Sequence, residues 1–249
     1  MSAVLTERRG RVLLITLNRP EALNAVNTEL ANGLAAAVEL LDSDPDLTVG
    51  ILTGSGRGFC SGMDLKAFAA EGPPKGFETF LSEGSEKPLI AAIEGFALAG
   101  GLEIALICDL LVAAKGSKFG IPETRVGLFA AGGALFRLPN RVPFGVAMEL
   151  ALTADSISAE TASGYGLISR LAEPGTAVDV AFELAERIAK NGPLGVRASK
   201  QLIRRSIGIS EAEAWKLQDD YAPGVFESED AVEGPKAFAE KRPPVWAGR

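Results

Sequence analysis

One glutamate constrains this chain more than any other residue. Glu103 stands inside Leu98-Ala-Gly-Gly-Leu-Glu-Ile-Ala-Leu-Ile107, a run of otherwise apolar or small residues. An ionised carboxylate is costly to bury, so it comes with a partner or a task. Leu98, Leu102, Ile104, Ala105, Leu106 and Ile107 must enter a core while the carboxylate meets donors. Gly100-Gly101 precedes it where a helix can begin, and the first N–H groups of a helix have no internal acceptors. Glycine also lets the backbone come close to a ligand. The stretch from 95 to 123 therefore places a carboxylate able to move a proton beside N–H groups able to hold a developing anion. It closes on a second carboxylate, Glu123, behind Phe119-Gly-Ile-Pro122. Singly, each feature has a plainer reading: a paired or snorkelling glutamate, and a Gly-Gly turn.

Periodicity around this stretch alternates strand and helix, the pattern of an α/β chain. Val4–Glu7 and Val12–Leu17 flank Arg8-Arg9-Gly10 as a hairpin. Residues 18–25 form a Pro- and Asn-punctuated loop. Asn27 caps a helix from about Thr28 to Leu41, with apolar residues at Leu30, Leu34, Val38 and Leu41. Val49–Thr53 and Leu89–Ile93 read as buried strands, Gly100–Cys108 as a helix and Asp109–Ala114 as a strand. The mixed stretch 66–87, with Pro73-Pro74, reads as mobile or irregular helix. From Val146 onward helical patterns dominate. They start at Ser158, run from Val178 to Asn191 and from Pro193 to Arg205, follow the Ser210-Glu-Ala-Glu213 capping box to about Asp220, and end with Glu229–Lys241. The change of character near residue 175 divides the chain into 1–175, a core carrying the site, and 176–249, a helical region.

Composition excludes several chemistries. The 249 residues contain no histidine, which removes Ser-His-Asp and Cys-His catalysis and the commonest metal ligand; no metal site is expected. A net charge of −7 gives nucleic-acid binding no electrostatic support, and an anionic ligand has to be held by local donors. Cys60 and Cys108 read as free thiols, small buried hydrophobes in a reducing compartment. The N-terminus has no apolar signal core, and the longest apolar region, 88–114, is broken by Glu94, Glu103 and Asp109. The expectation is a soluble cytoplasmic protein with no membrane partner.

Several segments together resemble the crotonase family, the enoyl-CoA hydratase/isomerase superfamily, over nearly the whole chain. They are Leu17-Asn-Arg-Pro-Glu-Ala-Leu-Asn-Ala25, Phe59-Cys-Ser-Gly-Met-Asp64, Ala97-Leu-Ala-Gly-Gly-Leu-Glu103, Cys108-Asp109, Phe119-Gly-Ile-Pro-Glu123 and Ala237-Phe-Ala-Glu-Lys-Arg242. The resemblance implies a spiral of ββα units with a C-terminal helical region that builds trimers, often paired into hexamers. It implies an acyl-CoA thioester as substrate, with no cofactor beyond the CoA the substrate carries. The backbone N–H groups of Met63 and Gly100 would hold the thioester oxygen as it becomes an enolate. Glu103 and Glu123 match both catalytic glutamates of family hydratases; we assign Glu103 to the water and Glu123 mainly to the proton at C2. Ala22, Leu23 and Ala25, with Ser61, Gly62, Met63, Asp64 and Leu65, match the stretch binding the adenine and pantetheine parts of CoA. Phe238 and Lys241 resemble positions that approach CoA from the C-terminal helix, in some members across the trimer interface.

Two departures stand out. Where hydratases commonly show Pro-Gly-Ala-Gly-Gly, this chain has Ala130 and Ala131 in place of the proline and one glycine, and Phe129 and Phe136 add bulk, so the acyl-chain preference is open. Glu21 stands where several members carry lysine. The leading reading is hydration of a trans-2-enoyl-CoA. Isomerisation, dehydration of a specialised acyl-CoA such as a carnitinyl thioester, and a non-catalytic acyl-CoA scaffold are its rivals.

Overall fold

The computed structural model describes residues 2–74 and 76–249. Strands β1 (Val4–Arg9) and β2 (Val12–Leu17) form the expected hairpin, turning at Gly10. Helix α1 (Thr28–Ser43) starts where the Asn27 side chain accepts the Leu30 N–H at 3.0 Å, and it buries Leu30, Leu34, Val38 and Leu41. Strand β3 (Val49–Gly54) comes next. Two short helices, α2 (Leu65–Glu71) and α3 (Phe77–Glu83), then occupy the stretch read as mobile or irregular. Their order has a physical source: Asp64 caps α2, and α3 buries Phe77 and Phe80, whose stacked rings lie 5.6 Å apart. Lys75, within that stretch, lies outside the described residues.

Beyond α3 come β4 (Leu89–Ile93), β5 (Phe96–Leu98), α4 (Gly100–Ile107), β6 (Leu110–Ala114) and β7 (Lys118–Gly120). The remaining elements are α5 (Ala134–Arg137), α6 (Phe144–Thr153), β8 (Ile157–Ser158), α7 (Ala159–Gly164), β9 (Arg170–Ala172) and four long helices. These are α8 (Ala177–Ala189), α9 (Pro193–Arg205), α10 (Glu211–Phe226) and α11 (Glu229–Ala239). Helix α10 begins at the capping box but outruns its expected end near Asp220. Pro223 lies within it, in the last turn, and supplies no N–H for the carbonyl of Asp219.

A six-stranded sheet has the order β1-β2-β3-β4-β6-β9, parallel throughout except for the opening hairpin. A second sheet has the order β5-β7-β8. The chain winds through both. From β4 it passes to β5 and then α4; from β6 it passes to β7. The β3 turn repeats the pattern through Cys60, bridged to Ala97. This is a spiral of ββα units. The short strands β5, β7, β8 and β9 were not anticipated from periodicity, because two or three residues are too few to display an alternation.

Alternation sorts the large sheet's side chains onto two cores. Leu13, Ile15, Leu17, Leu52, Ala91, Ile93 and Leu111 face α1 and α4. Val12, Leu14, Val49, Ile51, Ile90, Ala92 and Val112 face the other way, against Ala177, Ala181 and Ala185 of α8. Those alanines recur every fourth residue and let the helix lie close to the strands.

One buried charge cluster ties α9 to the end of α4. Lys200 Nζ lies 2.8 Å from Asp109 Oδ2 and donates to Lys87 O at 2.7 Å. Asp109 also accepts the Leu89 N–H at 2.8 Å, and Arg204 approaches its other oxygen at 3.6 Å. Burial pushes the Lys200 ammonium downward and Asp109 opposes that shift. Asp109→Asn would leave Lys200 buried without its counter-charge, so a destabilisation of about 3–5 kcal/mol is expected. Urea titration of the folded protein reads it; a loss under about 1 kcal/mol would mean that water already screens the pair.

Candidate active site

Strands β5 and β7 run parallel, with Leu98 opposite Gly120. The segments leaving the two strands therefore emerge at the same edge: Gly100 after β5, Glu123 after β7. Ala99 joins the two ends by donating its N–H to Gly120 O at 2.9 Å. Its φ of 50° and ψ of −130° are unusual for a residue with a Cβ. That turn starts α4 without a side-chain cap.

Opposite this turn lies the segment around Met63. Val26 donates to Gly62 O at 2.8 Å and accepts from Asp64 N at 2.9 Å, which leaves Met63 between the two bonds. Among the described residues, neither the Met63 N–H nor the Gly100 N–H has an acceptor. The two approach each other closely: a Cβ built on Gly100 would lie 3.6 Å from the Met63 nitrogen. A Cβ on Gly62, whose φ is +108°, would lie 2.6 Å from the Ala99 Cβ and 3.2 Å from the Gly100 nitrogen. Leu98 N–H binds Cys60 O at 3.0 Å and locks the segments together. Two backbone N–H groups without an acceptor among the described residues thus lie close together.

Glu103 is one helical turn beyond Gly100, on the same side of α4. It is only 6% exposed, and its Oε1 accepts the Ala134 N–H at 3.2 Å. Burial raises its pKa above the usual carboxylate value; the backbone N–H groups of residues 132–134 and the charge on Arg137 oppose that rise. Glu123 is half-buried in a short 3-10 turn, and its Oε2 is buried without a hydrogen-bond partner among the described residues. Burial raises its pKa, and the negative charge of Glu103 adds to the effect. Both groups hold a proton more readily than an exposed glutamate does, which suits exchange near neutral pH.

The two stretches matched to CoA binding lie side by side, joined by Ser61 N–H to Leu23 O at 3.1 Å and by the Val26–Gly62 bond. Leu23 and Asn24 have φ values of 54°. The buried Asn24 holds the turn, accepting from Arg19 N at 2.8 Å and donating to Ser55 O and Gly58 O, each at 2.9 Å. Asp64 has a structural part: it accepts the Ala67 N–H at 3.2 Å and pairs with Arg19 at 3.1 Å, and these hold its carboxyl below the usual range. Ser61, Met63 and Leu65 retain exposed surface.

Phe238 and Lys241 are not brought to this site within the chain. Phe238 is 88% exposed on α11, and Lys241 turns the chain out of that helix at φ 55°. Arg242 then grips Glu233 through two hydrogen bonds that hold that carboxyl down at about 2. The tail returns to cap α11 and to meet Lys190 through Trp246.

Both cysteines are free and buried, and burial pushes each thiol up to about 12, so neither is a nucleophile. Among the described residues no cluster of metal-ligating side chains occurs, and no helix is long and apolar enough to cross a membrane. Motif reading missed Asn24 and Arg137. Asn24 sits inside a family-like motif as an inconspicuous turn residue; Arg137 comes one helical turn after Gly132-Gly133.

Two acceptor-free backbone N–H groups lie close together, and burial raises the pKa of both nearby carboxyls, features expected of an enzyme site that moves protons. The enoyl-CoA hydratase/isomerase family model matches residues 7–249, and the chain belongs to that family. It is 43% identical to enoyl-CoA hydratase EchA19 of Mycobacterium tuberculosis, covering 98% of this chain and 96% of that one. It is 39% identical to the carnitinyl-CoA dehydratase of Proteus mirabilis, covering 97% of each. Among solved structures, enoyl-CoA hydratase EchA1 from Mycobacterium marinum superposes with a TM-score of 0.95 at 52% identity, over 100% of both chains.

Proposed function

We propose that the protein is an enoyl-CoA hydratase that adds water to a trans-2-enoyl-CoA thioester, or removes it in reverse. The observation that carries this is the pair Glu103 and Glu123, both buried enough to have raised pKa values, beside the convergent Met63 and Gly100 N–H groups. Glu103 takes a proton from water as its oxygen bonds to C3. The electrons of the double bond move toward the thioester oxygen, which the two N–H groups hold as an enolate. Glu123 delivers a proton to C2, and the carbonyl re-forms. No cofactor takes part beyond the CoA of the substrate, whose adenine and pantetheine parts lie along Ala22–Ala25 and Ser61–Leu65. Purified protein with crotonyl-CoA should lose the absorbance of the conjugated thioester. No loss with any enoyl-CoA chain length would leave the scaffold reading in its place.

We further propose that the chain works as a trimer or a pair of trimers. Phe144, Met148 and Leu152 lie exposed at every fourth position of α6, and Ile203, Ile207, Phe226 and Phe238 are exposed on or beside α9 to α11. Apolar rows of this kind are costly to leave in water. Light scattering should give a mass near three or six chains; a stable, active monomer at micromolar concentration would count against any CoA contact shared through Phe238 and Lys241.

A further inference from the structure

Arg137 has contacts that its position at the end of α5 does not require. Its guanidinium donates to Gly132 O at 2.9 Å and to Leu81 O of α3. Gly132 and Gly133 pass between this guanidinium and the Glu103 carboxylate. A Cβ on Gly132 would lie 2.6 Å from Glu103 Oε2, and one on Gly133 would overlap the Arg137 guanidinium. The arch is therefore pressed on one side by a cation and on the other by a carboxylate. It ends in the Ala134 N–H that binds Glu103.

We propose that Arg137 is a positioning residue for Glu103: it clamps the Gly132–Ala134 arch onto that carboxylate and fastens the arch to α3. The proposal rests on Glu103 being the group that activates water. A cation beyond the arch orients the N–H dipoles toward the carboxylate and favours its ionised form. The charged groups facing the assembly are Glu123 from the turn after β7, Arg137 from α5, Arg141 from the turn after it, and Arg204 from α9. Arg141 and Arg204 repel the Arg137 charge, and Glu103 is the anion that answers it. Arg141 is engaged elsewhere, on Cys108 O at 2.8 Å, and Arg204 approaches Asp109. The second anchor matters separately. The Arg137 contact with Leu81 fastens the arch to α3, whose Phe77 and Phe80 are buried in the core, so the arch is held from the core side as well.

Arg137→Gln and Arg137→Lys test this. In the glutamine variant kcat should fall roughly ten- to a hundredfold, as misplaced catalytic groups do, with KM little changed. Loss of the cation raises the Glu103 pKa, so the acid limb of kcat/KM should move to higher pH. The lysine variant should restore the limb and only part of kcat. A carbon-13 carboxyl NMR titration of Glu103 reads the same upward shift without substrate. Wild-type kcat and an unmoved limb in folded Arg137→Gln would overturn the proposal. So would a loss of activity that tracks the melted fraction with the limb in place. If the glutamine variant does not fold, Arg137→Lys decides: reduced kcat at an unchanged melting temperature supports the clamp, and full kcat overturns it. Failure of the wild-type protein to hydrate any enoyl-CoA would sink the hydratase reading alone, since the NMR titration still decides on Arg137.

Discussion

Glu103→Gln is expected to lower kcat for crotonyl-CoA hydration by roughly 10²–10⁴-fold, the contribution of a positioned acid or base. The amide keeps an oxygen for the Ala134 N–H while losing a charge that burial disfavours. Melting temperature should therefore hold, and acyl-CoA should still bind. In the wild-type protein the base must be ionised. Since burial lifts its pKa, activity should fall as pH drops through that raised value, sooner than for an ordinary glutamate. The variant should lack this limb. Glu123→Gln should also lower kcat, by at least roughly tenfold. Among the described residues the buried Oε2 of Glu123 has no hydrogen-bond partner, so the amide should cost little stability. Stopped-flow absorbance gives the rates and differential scanning calorimetry the stability. A Glu103→Gln enzyme turning over at the wild-type rate would remove Glu103 from the chemistry.

The second large effect belongs to Gly100. The fold itself has room for a methyl group there, since the nearest atoms lie at 3.6 Å, an ordinary contact. Those atoms are Gly62 Cα and Met63 N, so the methyl enters the space between the two proposed donors. Gly100→Ala should leave a folded assembly with kcat lowered by about 10²–10³-fold, the loss seen when one oxyanion donor is removed. Gly101→Ala is the contrast. Its Cβ would overlap Cys60 O, so the backbone must shift and stability falls. Cys60 O also accepts the Leu98 N–H that locks the donor segments together, so Gly101→Ala should lose stability and activity together, where Gly100→Ala loses activity alone. If Gly100→Ala hydrates normally, or if both variants lose activity only as they unfold, Gly100 is a turn residue and not a donor.

The site was legible in the sequence where a local motif names its own geometry. Gly100-Gly101 before an apolar helix announces free N–H groups, and Glu103 and Glu123 are conspicuous as charges among apolar residues. The helices from α7 onward announced themselves through Ser158, Ser210 and long amphipathic patterns. The small sheet did not, because β5 and β7 become strands only by pairing with each other across a helix and another strand. Asp109 was visible as part of a motif, but its partners Lys200 and Arg204 lie most of a hundred residues away, and no local pattern ties them together. Arg137 was hidden for the same reason: it acts on Glu103 through the backbone of an intervening loop. The stretch 66–87 was legible as irregular helix but not as two separate helices, because the scattered Phe68, Phe77 and Phe80 show no period until α3 buries Phe77 and Phe80.

The Gly132–Ala134 arch also divides the residues around the two carboxylates into two kinds. At Gly132 the backbone touches Glu103 and cannot accept even a methyl group without displacing that carboxylate. Before it, Val126, Leu128 and Phe129 stand exposed and bear no hydrogen bond to either carboxylate. Leu128 ties back through its N–H to Glu123 O, and Ala130 is buried in the core, so only the exposed side chains of Leu128 and Phe129 can change without moving a carboxylate. A designer reshaping this surface should exchange those two side chains and leave the backbone from Ala130 to Ala134 as it is, because one end of it is core and the other holds a carboxylate.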